Sequence, residues 1–212
     1  MLKGSLMNTP LEVSAFLTSL KEMGIEEVFF DTGIEIRDLV MLVKNCKRCR
    51  LFQFRTNAVF GEGRYDADIM FVGEAPGEEE DKEGRPFVGK AGRLLTRLME
   101  EVGLDRKESY ICNVLKCRPP NNRDPEKDQI EACKPYLFKQ IDFVRPKAIV
   151  ALGRHAYNTI FGTDERITRV RGEVKEFRGI KVIPTYHPSF LLRNEDKVEE
   201  ALEDLERAKD FL

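Results

Sequence analysis

Four short apolar runs stand out along a chain that is otherwise charged and amphipathic: DIMFVG at 68–73, SYICNVL at 109–115, KAIVALG at 147–153 and KVIPTYHP at 181–188. The first three are nearly continuous in apolar residues, the pattern of strands covered on both faces. Between them the spacing turns helical, in AGRLLTRLMEEVG at 91–103, EKDQIEACKPYLFKQIDFV at 126–144 and HAYNTIFG at 155–162. A charged amphipathic helix is predicted to close the chain, from about Asp196 to Leu212. Near the start, Leu11, Phe16, Leu17 and Leu20 fall on one side of a helix predicted over 10–24 and ended by Gly24, and another helix covers Glu35 to Asn45. Strand alternating with helix predicts a mainly parallel sheet with helices on both faces. Residues 1–35 read as a helical extension with VFFDTG as its hinge, and residues 36–212 as the domain proper.

The unusual residues collect at the ends of these strands. Gly73-Glu74-Ala75-Pro76-Gly77 follows the first, Asn113 ends the second, Gly153 closes the third and His187 the fourth. Open α/β sheets bind ligands beyond the carboxyl ends of their strands, so these residues are expected to share one rim.

Composition alters this picture little. Of the 212 residues 42% are hydrophobic, which suits one buried core, and the net charge of −2 does not by itself suggest an anionic partner. The distribution says more. Lys44, Lys47, Arg48, Arg50 and Arg55 form a run free of acids; Lys116, Arg118 and Arg123 form a second cluster, and Arg166, Arg169 and Arg171 a third. Taken singly each reads as a solvated face; together they are compatible with an anionic partner. No apolar run is long enough to span a bilayer, and the first residues lack the pattern of a secretory signal, so a cytoplasmic, intracellular protein is expected.

Five cysteines carry candidate metal chemistry. Cys46 and Cys49 form a C-x-x-C pair, joined far along the chain by Cys117 and Cys133. Four thiolates suit either structural zinc or an iron–sulfur cluster, with buried unligated thiols as the bland alternative, and one pair plus two scattered cysteines is a moderate signal. Cys112 faces away from Asn113 and Cys117 by strand alternation and reads as a small apolar filler. The segment Gly84 to Ala91 nearly spells a phosphate-binding loop. However, Ala91 has no hydroxyl for a metal, Pro86 removes an amide, and Glu78, Glu79, Glu80 and Asp81 would repel a triphosphate.

Three long stretches, VGEAPGEEEDKEGRPFVGKAGRLL (72–95), YICNVLKCRPPNNRDP (110–125) and HPSFLLRN (187–194), closely resemble the iron–sulfur, or family four, uracil-DNA glycosylases. The resemblance runs from about residue 40 to the C-terminus. It implies a three-layer α/β/α domain around a central, mainly parallel four-stranded sheet, and a 4Fe–4S cluster held by Cys46, Cys49, Cys117 and Cys133. It further implies removal of uracil from DNA by base excision: the base is flipped out, read along its Watson–Crick edge, and hydrolysed from its sugar to leave an abasic site. No lysine is demanded as a covalent nucleophile.

Within that resemblance each candidate has a role. Asn113 can meet uracil O4 and N3 together, and Phe87 stacks on the base, although a lone Phe is more often core and a strand-end Asn often caps a turn. Backbone amides around Glu74, Ala75 and Pro76 help bind uracil; many relatives have Gly at position 75, and Ala fits there unless a positive φ is required. His187 is the donor aimed at O2, where negative charge develops, while His155 reads as a helix-start residue. Glu74 is preferred over Glu80 for positioning water and stabilising the oxocarbenium-like sugar; Glu80 is the alternative acid, near the base. In the loop after His187, Ser189 and Arg193 are expected to contact DNA and Leu191 to act as the wedge.

The expected partner is uracil-containing DNA, double- or single-stranded, bound by a monomer, with a sliding clamp as a candidate protein partner. Two rivals remain: an iron–sulfur module that binds uracil-DNA without turnover, and a zinc-stabilised α/β protein with another small-molecule substrate. Some relatives trap DNA through a histidine in an inserted basic loop. RPPNNRDPEKDQIEAC, after Cys117, contains none.

Overall fold

The computed structural model describes residues 36–212. The helix expected over 10–24, the VFFDTG hinge and the division at residue 35 fall outside or at the edge of these residues. The chain order is α1 (Ile36–Lys44), β1 (Glu62–Gly63), β2 (Ile69–Gly73), α2 (Glu78–Glu83), α3 (Lys90–Glu101), β3 (Tyr110–Asn113), α4 (Lys127–Val144), β4 (Ala148–Leu152) and α5 (Arg154–Phe161). There follow α6 (Ile167–Val170), β5 (Lys175–Phe177), β6 (Ile180–Thr185), α7 (Pro188–Leu191) and α8 (Val198–Lys209).

The sheet runs β1-β3-β2-β4-β6-β5. Its four central strands are the four expected apolar runs, and they pair in parallel. The expectation of four strands is corrected to six: β1 and β5 add short antiparallel edges on β3 and β6. These edges are two and three residues long and only partly covered, so no apolar run marks them.

Alternation distributes the central side chains between two layers. Ile69, Phe71, Ile111, Val150, Leu152 and Ile183 face one core with Leu94, Leu95, Leu98 and Met99 of α3 and Ala201, Leu205 and Ala208 of α8. Each large aliphatic or aromatic side chain so buried contributes roughly 1.5–3 kcal/mol. On the other face Tyr110 Oη accepts a hydrogen bond from Gln140 Nε2 of α4 at 2.9 Å. Register then aligns the strand ends. Gly73 pairs with Asn113 and Leu152 with Thr185, so the residues that follow β2, β3, β4 and β6 leave the sheet along one edge.

Candidate active site

At that edge lies a cavity of about 320 Å³, near the lower end of the range for small-molecule sites. The structure brings Glu74, Ala75, Pro76, Glu80, Phe87, Asn113, His187 and Ser189 together in its lining. Ala75 is not among the described non-glycine residues with positive φ, so its Cβ is accommodated without strain.

Asn113 is 2% exposed, and its Oδ1 is buried without a hydrogen-bond partner. A buried polar atom left unpaired costs about 1–3 kcal/mol, so this acceptor is free for a ligand at the expense of stability. Its backbone is held firmly: Lys116 Nζ, itself buried, donates to the Asn113 carbonyl and to Gln140 Oε1. Gly73 makes room beside it. A Cβ there would stand 2.4 Å from Asn113 Oδ1 and 2.5 Å from Phe87 Cζ, so the amide and the ring converge over a bare backbone.

Phe87 has φ 52°, a left-handed conformation that costs a non-glycine residue of order 1–3 kcal/mol. Its loop is clamped from both sides. Arg106 Nη2 donates to the Pro86 carbonyl at 2.8 Å, while Glu80 Oε1 accepts from the amides of Val88 and Gly89 at 3.0 and 2.9 Å. Glu80 Oε2 accepts from the Gly77 amide at 3.0 Å. With both oxygens occupied by backbone amides, Glu80 is a buckle between the two loops that line the cavity. The Phe87 ring lies 5.8 Å from the His187 ring, centroid to centroid.

His187 caps α7. Its Nδ1 accepts from the Ser189 amide at 3.2 Å and lies 2.7 Å from Ser189 Oγ. Burial, with a further push from His155, lowers its pKa to about 4. The ring is therefore neutral at pH 7, and with Nδ1 accepting, its proton sits on Nε2. Gly153, with φ +88°, lets the β4 turn pass the ring; a Cβ there would come within 3.0 Å of His187 Cβ.

Glu74 is pushed up to about 7, first by burial and then by the charge of Asp124, with Arg154 opposing. Beside it stands a residue that sequence reasoning placed at a helix start and left there. His155 Nε2 is buried without a hydrogen-bond partner, 3.7 Å from Glu74 Oε2 and 3.8 Å from Asp124 Oδ2. Asp124 also pairs with Arg154. His155 follows β4 by three residues, so the rim rule that selected Gly153 could have found it; Asp124, in an irregular loop, carried no such signal.

The loop after His187 differs from expectation. Leu191 is 1% exposed and packs in the core on the α3 side of the sheet, whereas Leu192 is 41% exposed. A wedge must reach solvent, and in this structure Leu192 rather than Leu191 does so. Arg193 is exposed and outside the cavity lining.

The basic runs are largely spent on internal contacts. Arg50 pairs with Glu126, Arg118 with Glu78 and Arg123 with Glu126, and Arg171 is bound to the buried Asp204 at 2.7 Å.

Cys46, Cys49, Cys117 and Cys133 are free thiols close enough to influence one another's ionisation. Three of the sulfurs accept N–H groups: Cys46 from the Arg48 amide at 3.5 Å, Cys117 from Arg55 Nη1 at 3.0 Å and Cys133 from the Lys116 amide at 3.3 Å. Such bonds suit sulfur that carries negative charge on a metal or cluster. Zinc at about 2.3 Å per bond would hold four sulfurs roughly 3.8 Å apart. Among the described residues, the one group of three or more His, Cys, Asp or Glu ligand atoms within 4.8 Å of one another is Glu74, Asp124 and His155. Cys112 is fully buried on β3, and burial raises its pKa with only the Lys116 charge opposing, so it stands apart from the four.

The family model described as the uracil DNA glycosylase superfamily matches residues 60–206. A type-4 uracil-DNA glycosylase of Sulfurisphaera tokodaii is 54% identical over 179 residues, covering 80% of this chain and 81% of its own. The type-4 enzyme of Thermotoga maritima is 53% identical over 174 residues, covering 80% and 91%. That of Archaeoglobus fulgidus is 45% identical over 178 residues, covering 80% and 89%.

Proposed function

The chain belongs to the uracil DNA glycosylase superfamily, alongside its type-4 members, and from that premise we propose that the rim cavity is where it cuts uracil from DNA. A deoxyuridine flipped from the stack enters over Gly73, its ring against Phe87. Asn113 Oδ1 accepts from uracil N3–H while Nδ2 donates to O4. The observation that carries this reading is the buried Asn113 Oδ1, left unpaired inside the cavity.

Bond cleavage leaves negative charge on uracil O2 and positive charge on the sugar. His187, neutral with its proton on Nε2, supplies a hydrogen bond to O2 that strengthens as the charge develops. Glu74 as carboxylate orients the attacking water and stabilises the oxocarbenium-like sugar, and Glu80 holds Phe87 and the Gly77 turn in register. We assign the wedge to Leu192, with Ser189 and Arg193 on the DNA side of the same loop. All these groups come from residues 36–212 of one chain, which fits a monomeric enzyme.

We assign Cys46, Cys49, Cys117 and Cys133 as ligands of a 4Fe–4S cluster. Bound there, it would tie the segment after α1 to the loop after β3 and to α4. A protein with iron and absorbance at the blue end of the spectrum supports the assignment; a colourless zinc protein overturns it.

Release of free uracil from labelled oligonucleotides carrying U:G, U:A or single-stranded uracil tests the activity. Binding of uracil-DNA without release would instead establish the non-catalytic alternative.

A further inference from the structure

Beside the uracil cavity, and sharing Phe87 and Lys90 with it, runs a larger groove of about 800 Å³. Its walls carry Arg85, Lys90, Arg93, Arg97 and Arg106 against one acid, Glu83, and the exposed Leu192 stands at its edge. In a chain of net charge −2, five cations to one anion in a single groove form a concentrated positive field.

These cations are of two kinds. Arg106 is bound inward to Glu62, Thr96 and the Pro86 carbonyl, and Arg85 pairs with Glu62, so both shape the wall. Lys90 and Arg97 have no side-chain hydrogen bond or ion pair among the described residues. Arg93 reaches the Val88 carbonyl at 3.1 Å and Glu79 only at 3.7 Å. Lys90, Arg93 and Arg97 are all exposed and follow one another at i, i+3 and i+7 along α3, whose other face buries Leu94, Leu95 and Leu98. At 1.5 Å per residue they span about 10 Å along the helix axis, long enough to reach more than one phosphate of a strand.

We propose that this groove carries the backbone of the damaged DNA strand beside the flipped nucleotide, with Lys90, Arg93 and Arg97 meeting successive phosphates. The proposal rests on the glycosylase reading of the cavity. A strand that delivers its base past Phe87 continues directly along Lys90, because both residues line both spaces. Leu192, at the groove's edge, is placed to enter the stack where the base has left.

The test is the salt dependence of binding to a uracil-containing duplex by wild type and by Arg93→Ala/Arg97→Ala. Each lost phosphate contact lowers the slope of log affinity against log salt by about 0.9, so the double variant is expected to lose nearly two units. On a trinucleotide with central uracil, too short to follow the helix, the difference between variant and wild type is expected to shrink. Lys107→Glu changes an exposed cation at the amino end of β3, away from the rim, and is expected to keep the wild-type slope. A wild-type enzyme that excises uracil beside a double variant with unaltered slope overturns the groove alone. An equal loss of slope in Lys107→Glu also overturns it, since bulk charge then explains the effect. Failure of wild type to release uracil overturns the underlying reading instead.

Discussion

The uracil cavity and the thiol region lie at the two ends of one short loop, yet they treat polar atoms in opposite ways. In the thiol region Cys46, Cys117 and Cys133 each accept an N–H from the protein. In the cavity Asn113 Oδ1 and the neighbouring His155 Nε2 are buried with no partner at all, and Phe87 is held in a strained backbone conformation. The first region is organised to stay as it is. The second leaves buried hydrogen-bonding atoms unpaired and holds one loop residue in a costly conformation. Substitutions in the two should therefore separate stability from activity.

The largest expected effect is on rate. Asn113→Ala and His187→Ala should each slow single-turnover excision on the order of 10²–10³-fold while leaving the thermal midpoint unchanged or raised. Wild-type uracil release by both variants would place the reaction elsewhere. The converse is expected of Cys133→Ser, which should lower stability by several kcal/mol, shift the midpoint down on the order of 10 °C, and abolish absorbance at the blue end. Cys112→Ser should keep that absorbance, and its loss would break the distinction between the four cysteines and the fifth.

A pH profile sharpens the comparison further. With Glu74 titrating at about 7, excision under subsaturating substrate should fall tenfold per unit as pH drops below 7 and level off above it. Asp124 raises the Glu74 pKa and Arg154 lowers it. Asp124→Asn should therefore move the limb to lower pH and Arg154→Ala to higher pH; a limb unmoved by either would assign it to another group. The smallest effect is expected at the wedge. Leu192→Ala should cost a few-fold in excision from duplex and less from single strands, whereas Leu191→Ala should lower stability by roughly 2–5 kcal/mol. Reversal of that pattern would restore Leu191 as the wedge.

How much the sequence disclosed follows from what each feature requires. Strands β2, β3, β4 and β6 were legible because burial on both faces leaves an unbroken apolar run, and the rim rule then grouped Glu74, Asn113 and His187. Strands β1 and β5 were not, since two or three residues on a sheet edge need no apolar pattern. The acidic segment Glu78–Glu83 gave no apolar period, yet it forms α2 with four acids in its first turn, where the helix dipole favours negative charge. Leu191 and Leu192 are indistinguishable by type; only the turn of α7 decides which enters the core. Charge divides in a similar way. Arg118 and Arg123, in a segment free of acids, attract attention but are paired at home, while Lys90, Arg93 and Arg97 alternate with apolar residues and are gathered on one face only by helical pitch.

Lys116 gives the contrast between the two regions a practical edge. Its amide donates to Cys133, and its ammonium group, three residues from Asn113, supports that residue's carbonyl. Oxidation at Cys133 therefore has a route of a single residue to Asn113, so that chemistry in one region is felt as geometry in the other.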